Sequence, residues 1–228
     1  WVAIERDVTE QKRKEIEKEL LAKISLNFSF ENDLITSLHE LCKTVTKFGD
    51  FDLAEIWIPN IEGSYVNLIA HHSATPKADL FYKWSKGIAN LKFGEGLPGT
   101  VWKNKTTVIW NKINDSNEFV RKEASAKANI KSVLGIPLLF NANIVGVLVI
   151  GTESEVEYLQ KYIALFNHLE LYIGSEINRK KLESDLKHLY ESVPDIICIA
   201  DFQGRFLKMN KSGCKLLGYT EEELLFHS

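Results

Sequence analysis

Gly94-Glu95-Gly96-Leu97-Pro98-Gly99-Thr100-Val101 spells GxGxxG and, through its last two residues, GxGxxGxV. The first is the spacing of a dinucleotide-binding turn, the second that of a kinase phosphate loop. A dinucleotide turn needs a buried parallel strand directly before it and a full helix directly after it, so that the helix N-terminus receives the pyrophosphate. Here the preceding Lys86–Phe93 is weakly patterned and broken by polar residues, and Lys103-Asn104-Lys105 cuts short the segment after the glycines. Asp115 stands at the distance of a ribose-binding acid but inside the polar turn Asn114-Asp115-Ser116. The kinase reading lacks its partners. Lys112 is not in a VAIK-like strand, no HRD occurs, and Asp201-Phe202-Gln203-Gly204 is a hairpin turn with one residue more than DFG. The stretch therefore reads as backbone geometry: Gly94 and Gly96 permit a tight turn, Pro98 starts a helical turn over Gly99–Lys103, and Gly99 allows close packing.

The 228 residues are 45% hydrophobic and 26% charged, enough for one sizeable core with appended segments. A net charge of −3 leaves no footprint for nucleic acid. Apolar runs such as Val145–Ile150 are too short to span a bilayer, so no membrane contact is expected in these residues. Three widely spaced cysteines and no signal peptide point to the cytoplasm. Cys198 and Cys214 are expected to be small buried hydrophobes. Without CxxC or HExxH, no metal site is expected. A chain that opens on Trp1 reads as a piece of something longer.

Outward from the glycine stretch, residues 7–48 carry helical spacing, with Ile16, Leu20, Ile24 and Phe28 at i,i+4 and a second helix capped by Asp33 or Asn32. Strands are expected at Ala54–Ile58, Tyr65–Ala70 and Thr106–Trp110, and a short or irregular helix at Asp79–Ala89. An amphipathic helix is expected at Ser116–Asn129. A hairpin comes next, Val133–Phe140 with Ile144–Gly151. A long helix runs from about Glu155 to Ser192, where Leu182, Leu186, Leu189 and Val193 alternate at four and three residues, the stripe of a coiled-coil seam or of a helix lying on a domain face, with the seam the favoured reading. Pro194 stops it. A second hairpin, Ile196–Ala200 with Arg205–Asn210, precedes helical turns at Gly213–Leu217 and Thr220–Leu225, the latter opened by the capping box Thr220-Glu221-Glu222-Glu223.

Three blocks then resemble a GAF domain: Phe93–Trp102; Ala124–Ile130 with Lys131–Leu138; and Val145–Ile150. Their order and spacing are similar to those of GAF sensors in bacterial histidine kinases. The resemblance implies an α+β fold, a central antiparallel sheet with helices on both sides, one side often holding a small-molecule pocket. Trp1–Gln11, with its Asp7-Val8-Thr9, resembles the last strand and exit of a PAS domain. Leu189–Glu223 resembles the beginning of one. The expected organisation is a PAS tail at 1–12, a signalling helix at 13–30, the GAF-like domain at 31–175, a helical linker at 176–190 and the head of a second PAS domain at 191–228.

The Asn-Lys of cyclic-nucleotide GAF domains is replaced by Gly151-Thr152-Glu153 after the VGVL-type strand. Asn111-Lys112 with Phe119 and Glu123 is a partial likeness in a different place. Bilin attachment and the free methionine sulfoxide reductases both need pocket thiols, and this region offers only Cys42, on its first helix. The candidate ligand-binding residues are therefore aromatic and polar: Trp84, Trp102, Trp110 and Phe119 as walls, His71 (with His72) and Asn111 as hydrogen-bonding groups. No cofactor is identified. The expected role is a non-catalytic sensory or relay segment of a two-component protein, with a histidine kinase as parent. It would be homodimeric through a seam of Ile16, Leu20, Ile24, Leu182, Leu186 and Leu189. The alternatives are a ligand-free spacer and dimerisation module, or a small-molecule redox or nucleotide enzyme.

Overall fold

The computed structural model describes residues 2–29, 33–85, 87–115 and 118–226. Trp1, Asn32 and Ser116, expected as the start of an exit strand, an alternative cap and a helix start, lie outside them. The chain forms two compact units, Trp1–Asn178 and Arg179–Ser228.

The first unit opens with α1 (Val2–Asn27) and α2 (Leu34–Phe48). Asp33 caps α2, its carboxylate accepting from the Thr36 amide at 2.7 Å, and the Gly49 amide closes the other end on the Val45 carbonyl. Next along the chain come β1 (Leu53–Pro59), β2 (Tyr65–Ser73), α3 (Asp79–Trp84), β3 (Asn90–Lys92), α4 (Gly96–Asn104), β4 (Val108–Trp110), α5 (Lys122–Ala128), β5 (Ser132–Phe140), β6 (Asn143–Thr152) and α6 (Val156–Ser192). The strands form one antiparallel sheet in the order β3-β2-β1-β6-β5-β4. Period-two alternation sends Ala54, Ile56 and Ile58 of β1 into the core shared with α1, α2 and α6, and Leu53 and Trp57 into the core under α3, α4 and α5. This is the α+β architecture expected, a sheet between two helical layers.

The glycine stretch joins a three-residue strand at the sheet edge, antiparallel to β2, to a helix that starts at Gly96 rather than Gly99. Gly94 and Gly96 adopt φ of +82° and +59°, and the Gly94 amide donates to the Gly99 carbonyl at 3.0 Å. A Cβ on Gly99 would lie 2.4 Å from the Lys92 carbonyl oxygen. The turn is thus built for backbone contact. The β5–β6 hairpin turns on Asn141 and Ala142, both at positive φ (49° and 62°).

Three expectations change. Residues 2–11 continue α1 instead of forming an exit strand. A strand there has no described neighbour to pair with, whereas a helix closes its own hydrogen bonds. The helix expected over Ser116–Asn129 is confined to α5, because the non-helical backbone of Arg121 (φ −101°, ψ 38°) turns its side chain into the core. Leu20 and Ile24, expected in a dimer seam, are fully buried in the chain's own core with Phe28. Ile16 alone of that triplet remains 47% exposed.

The second unit holds the antiparallel pair β7 (Cys198–Ala200) and β8 (Phe206–Met209), then α7 (Lys211–Leu217) and α8 (Glu221–Phe226). Buried Asn210 organises it. Its carbonyl oxygen accepts from the Ile197 and Gly213 amides at 3.0 and 3.1 Å, and its amide donates to the Asp195 and Tyr190 carbonyls at 2.9 and 3.1 Å. The capping box forms as expected: the Glu223 amide donates to Thr220 Oγ1 at 3.2 Å and the Thr220 amide to Glu223 Oε2 at 2.8 Å. Cys198, expected to be buried, is exposed, since all three residues of β7 lie on the surface of this small sheet. Leu182, Leu186 and Leu189 are exposed as well. Among the described residues no helix is long and apolar enough to cross a membrane.

Candidate functional site

Glu55 sits in the middle of β1 between Leu53 and Trp57, on the face that α3 and α5 cover. An acid there is conspicuous, because every described residue of β1 before Pro59 is buried. Its partner is Arg121, just before α5. The guanidinium grips the carboxylate through two parallel hydrogen bonds, NH1 to Oε1 at 2.6 Å and NH2 to Oε2 at 2.7 Å. Both side chains are closed off from solvent, at 4% and 0% exposure. Trp57 Nε1 donates to Glu55 Oε2 at 2.8 Å. The guanidinium carbon stands 4.5 Å from the Phe81 ring centroid and 5.2 Å from that of Trp57.

Cross-strand register brings His71 of β2 opposite Glu55, so both point to this face. The His71 ring stacks on Tyr82 of α3 at 3.9 Å. Burial pushes the His71 pKa below its ordinary 6.5, reinforced by His39 and His72 and opposed by Glu55 and Asp79. The Tyr82 hydroxyl is buried beside the Glu55 carboxylate. Burial, then Glu55, push its pKa well up, and Arg121 pulls the other way. For Arg121 burial opposes the charge, yet the Glu55 carboxylate and its hydrogen bonds prevail and raise the pKa. Ser85, three residues after Tyr82, keeps a buried hydroxyl without a hydrogen bond. The site is thus a neutral pair of opposite charges in an aromatic enclosure.

A groove of about 570 Å³ opens beside the glycine stretch. Trp110, Lys103, Thr100 and Glu118 line it, and the Glu95 carboxylate already accepts from the Lys92 amide at 2.8 Å beneath the start of α4.

Of the six ligand-binding candidates, His71, exposed near the end of β2, stacks on Tyr82, and Trp110 with Phe119 meets edge to face at 6.3 Å by the groove. Asn111 accepts from Ser132 Oγ at 3.2 Å. Trp102 packs edge to face on Phe93, and Trp84, half exposed, lies under the Lys127 ammonium at 4.8 Å. The structure does not gather these six into one pocket. Sequence reasoning missed Glu55, Arg121 and Tyr82. The available signal was a lone acid in the apolar run Leu53–Ile58. Cys42, the only thiol of the first unit, packs in the core on the other face of the sheet, and burial raises its pKa, with Glu55 adding to the effect. Among the described residues no cluster of His, Cys, Asp or Glu could hold a metal ion.

Against known families, a GAF domain profile matches residues 31–177 and a PAS fold profile matches residues 184–226. Similar folds include the GAF domain of an Acinetobacter phosphoenolpyruvate-protein phosphotransferase (17% identity, 76% of this chain, 98% of that one, TM-score 0.58). Another is the nlh2 GAF domain of A. aeolicus in an inactive state (17% identity, 74% of this chain, 99% of that one, TM-score 0.59). A third is a free methionine-R-sulfoxide reductase from Neisseria meningitidis in complex with its substrate (13% identity, 73% of this chain, 91% of that one, TM-score 0.59). Likeness at these identities carries the fold alone. No curated protein matches the chain.

Proposed function

The chain belongs to the GAF domain family, followed by a PAS fold, and from that premise we propose that it is a non-catalytic sensory and relay segment of a two-component signalling protein, with a histidine kinase as its parent. The observation that carries this is the position of Glu55. The strand that holds it in the buried pair presents its neighbours Ala54 and Ile56 to the core of α1, α2 and α6. A small molecule that rearranges Glu55 and Arg121 on one face would shift β1 against the long helices on the other, one residue away. Such packed layers have discrete arrangements, so a local change becomes a bias between states. The exposed stripe Leu182, Leu186 and Leu189 then carries that bias along α6 in a parallel dimer.

Hydrogen exchange tests the coupling. In the double variant Glu55→Gln/Arg121→Met, the relay requires altered protection in α1 and in α6. Helices that exchange identically in both proteins sink it. Native mass spectrometry of the purified chain tests for a retained small molecule. The second reading, a ligand-free spacer, is favoured by the closure of the pair and predicts neither a retained molecule nor altered helices.

A further inference from the structure

His39, His71 and Tyr82 stand in a row at the outer edge of β2. β3 pairs only with Tyr65–Asn67, and beyond them no described strand pairs with that side of β2. There His39 of α2 places Nδ1 3.2 Å from the His71 carbonyl oxygen, and the two rings meet edge to face at 6.2 Å. The His71 ring in turn stacks on Tyr82 of α3 at 3.9 Å, with 22° between the planes. α2 packs in one helical layer and α3 in the other. The row therefore ties the two layers together around the sheet edge, and two of its three members change charge near neutrality.

The charges around the row are already engaged. The Glu55 carboxylate of β1 is held by Arg121 and Trp57, and Asp79 of α3 accepts from Ser73 Oγ. Glu40 of α2 is paired with Lys43, and with Lys47 and Asp79 these two surround His72 rather than His71. Burial keeps the Cys42 thiol of α2 and the Tyr82 phenol neutral. Burial, with His39 and His72 adding to it, likewise favours a neutral His71 against the pull of Glu55 and Asp79. A second proton, on His39, would set two like charges 6.2 Å apart. Opening the stack returns the His71 ring to water, so the open arrangement binds protons more tightly, and acid must favour it. We propose that this row is an acid-operated latch: protonation of His71, and then of His39, frees α3 from the end of β2 and uncouples it from α2. The latch goes beyond the sensory reading and holds whether or not the chain relays a signal.

The test is hydrogen exchange of the whole chain at about pH 7.5 and about pH 5.5, with protection taken relative to the unstructured rate at each pH. Protection over residues 70–84 is expected to lie below that of β5 and β6 at both, the mark of a separate local opening. On acidification it is expected to fall about three- to tenfold, tenfold corresponding to one pKa unit between latched and open arrangements. The double variant His71→Phe/His39→Gln keeps the stack and a donor to the residue 71 carbonyl without either charge. It is expected to lose at least about half of that fall. NMR titration of the unaltered chain serves should the variant not fold: the Tyr82 ring signals are expected to move with the His71 imidazole midpoint. Protection over 70–84 that equals that of β5 and β6, or does not change with pH, overturns the latch. So does a folded double variant that keeps the whole fall, or a His71 titration that leaves Tyr82 unmoved.

Discussion

Arg121 and Glu55 are 66 residues apart in sequence and share two hydrogen bonds of 2.6 and 2.7 Å with both side chains buried. The pair clamps the loop before α5 onto the central strand. Its contribution to stability depends on the group that each partner would leave behind.

Arg121→Met alone abandons a carboxylate in the core and should cost about 3–5 kcal/mol. The double variant with Glu55→Gln, still able to accept from Trp57 Nε1, should recover most of that loss. A urea-denaturation cycle measures the coupling, and additive losses would deny it.

His71 supplies a pH dependence. Its folded pKa lies below 6.5, so the unfolded chain binds more protons as pH falls past that value. Stability is therefore present above the unfolded pKa and drains away as pH drops toward the folded one. Denaturation midpoints measured from about pH 7 to about pH 5.5 should decline. His71→Phe, which keeps the stack on Tyr82, should flatten the slope in part. His72, also lowered by burial and by Lys43 and Lys47, supplies the remainder.

Gly174 lets α6 touch β5: a Cβ there would lie 2.2 Å from the Leu139 carbonyl oxygen. In an open helix Gly→Ala stabilises by about 1 kcal/mol. Here the clash reverses the sign, and Gly174→Ala should lower stability by about 1–3 kcal/mol or more. Thermal melts of the variant decide it.

Asn210→Ala removes a carbonyl that serves two amides and an amide that serves three carbonyls, all within the second unit. Each buried group left unmet costs about 1–3 kcal/mol, so this unit should lose protection locally. Hydrogen exchange across residues 195–214 should rise, with the six-stranded sheet unaffected.

Leu186, 65% exposed in the middle of the α6 stripe, is expected to lie in a dimer seam. Sedimentation should find the chain dimeric, and Leu186→Glu should shift it toward monomer. A monomeric chain indifferent to the substitution would remove the seam.

Elements governed by neighbouring residues were legible. Asp33 and the Thr220–Glu223 box cap their helices as local hydrogen-bond chemistry dictates, and the Asn141–Ala142 hairpin falls where its turn residues stand. The aromatic candidates rest on residue type, which says nothing about which side of the sheet or which end of a helix carries them. Trp110 meets Phe119, whereas Trp102 packs on Phe93 and Trp84 lies under Lys127. Leu20 and Ile24 show the same limit. An apolar stripe at helical spacing states that a face will be covered but not by what, and here the chain's own core covers them.

By itself, the sequence determined the elements, the order of the family blocks and the reading of GxGxxGxV as backbone geometry, because caps, turns and alternation act over a few residues. Tertiary structure alone decided that an acid in β1 would meet an arginine before α5, and that Tyr82 would come beside them. Such a site depends on long-range register between strands and on how two short helices close over them. No local pattern encodes either.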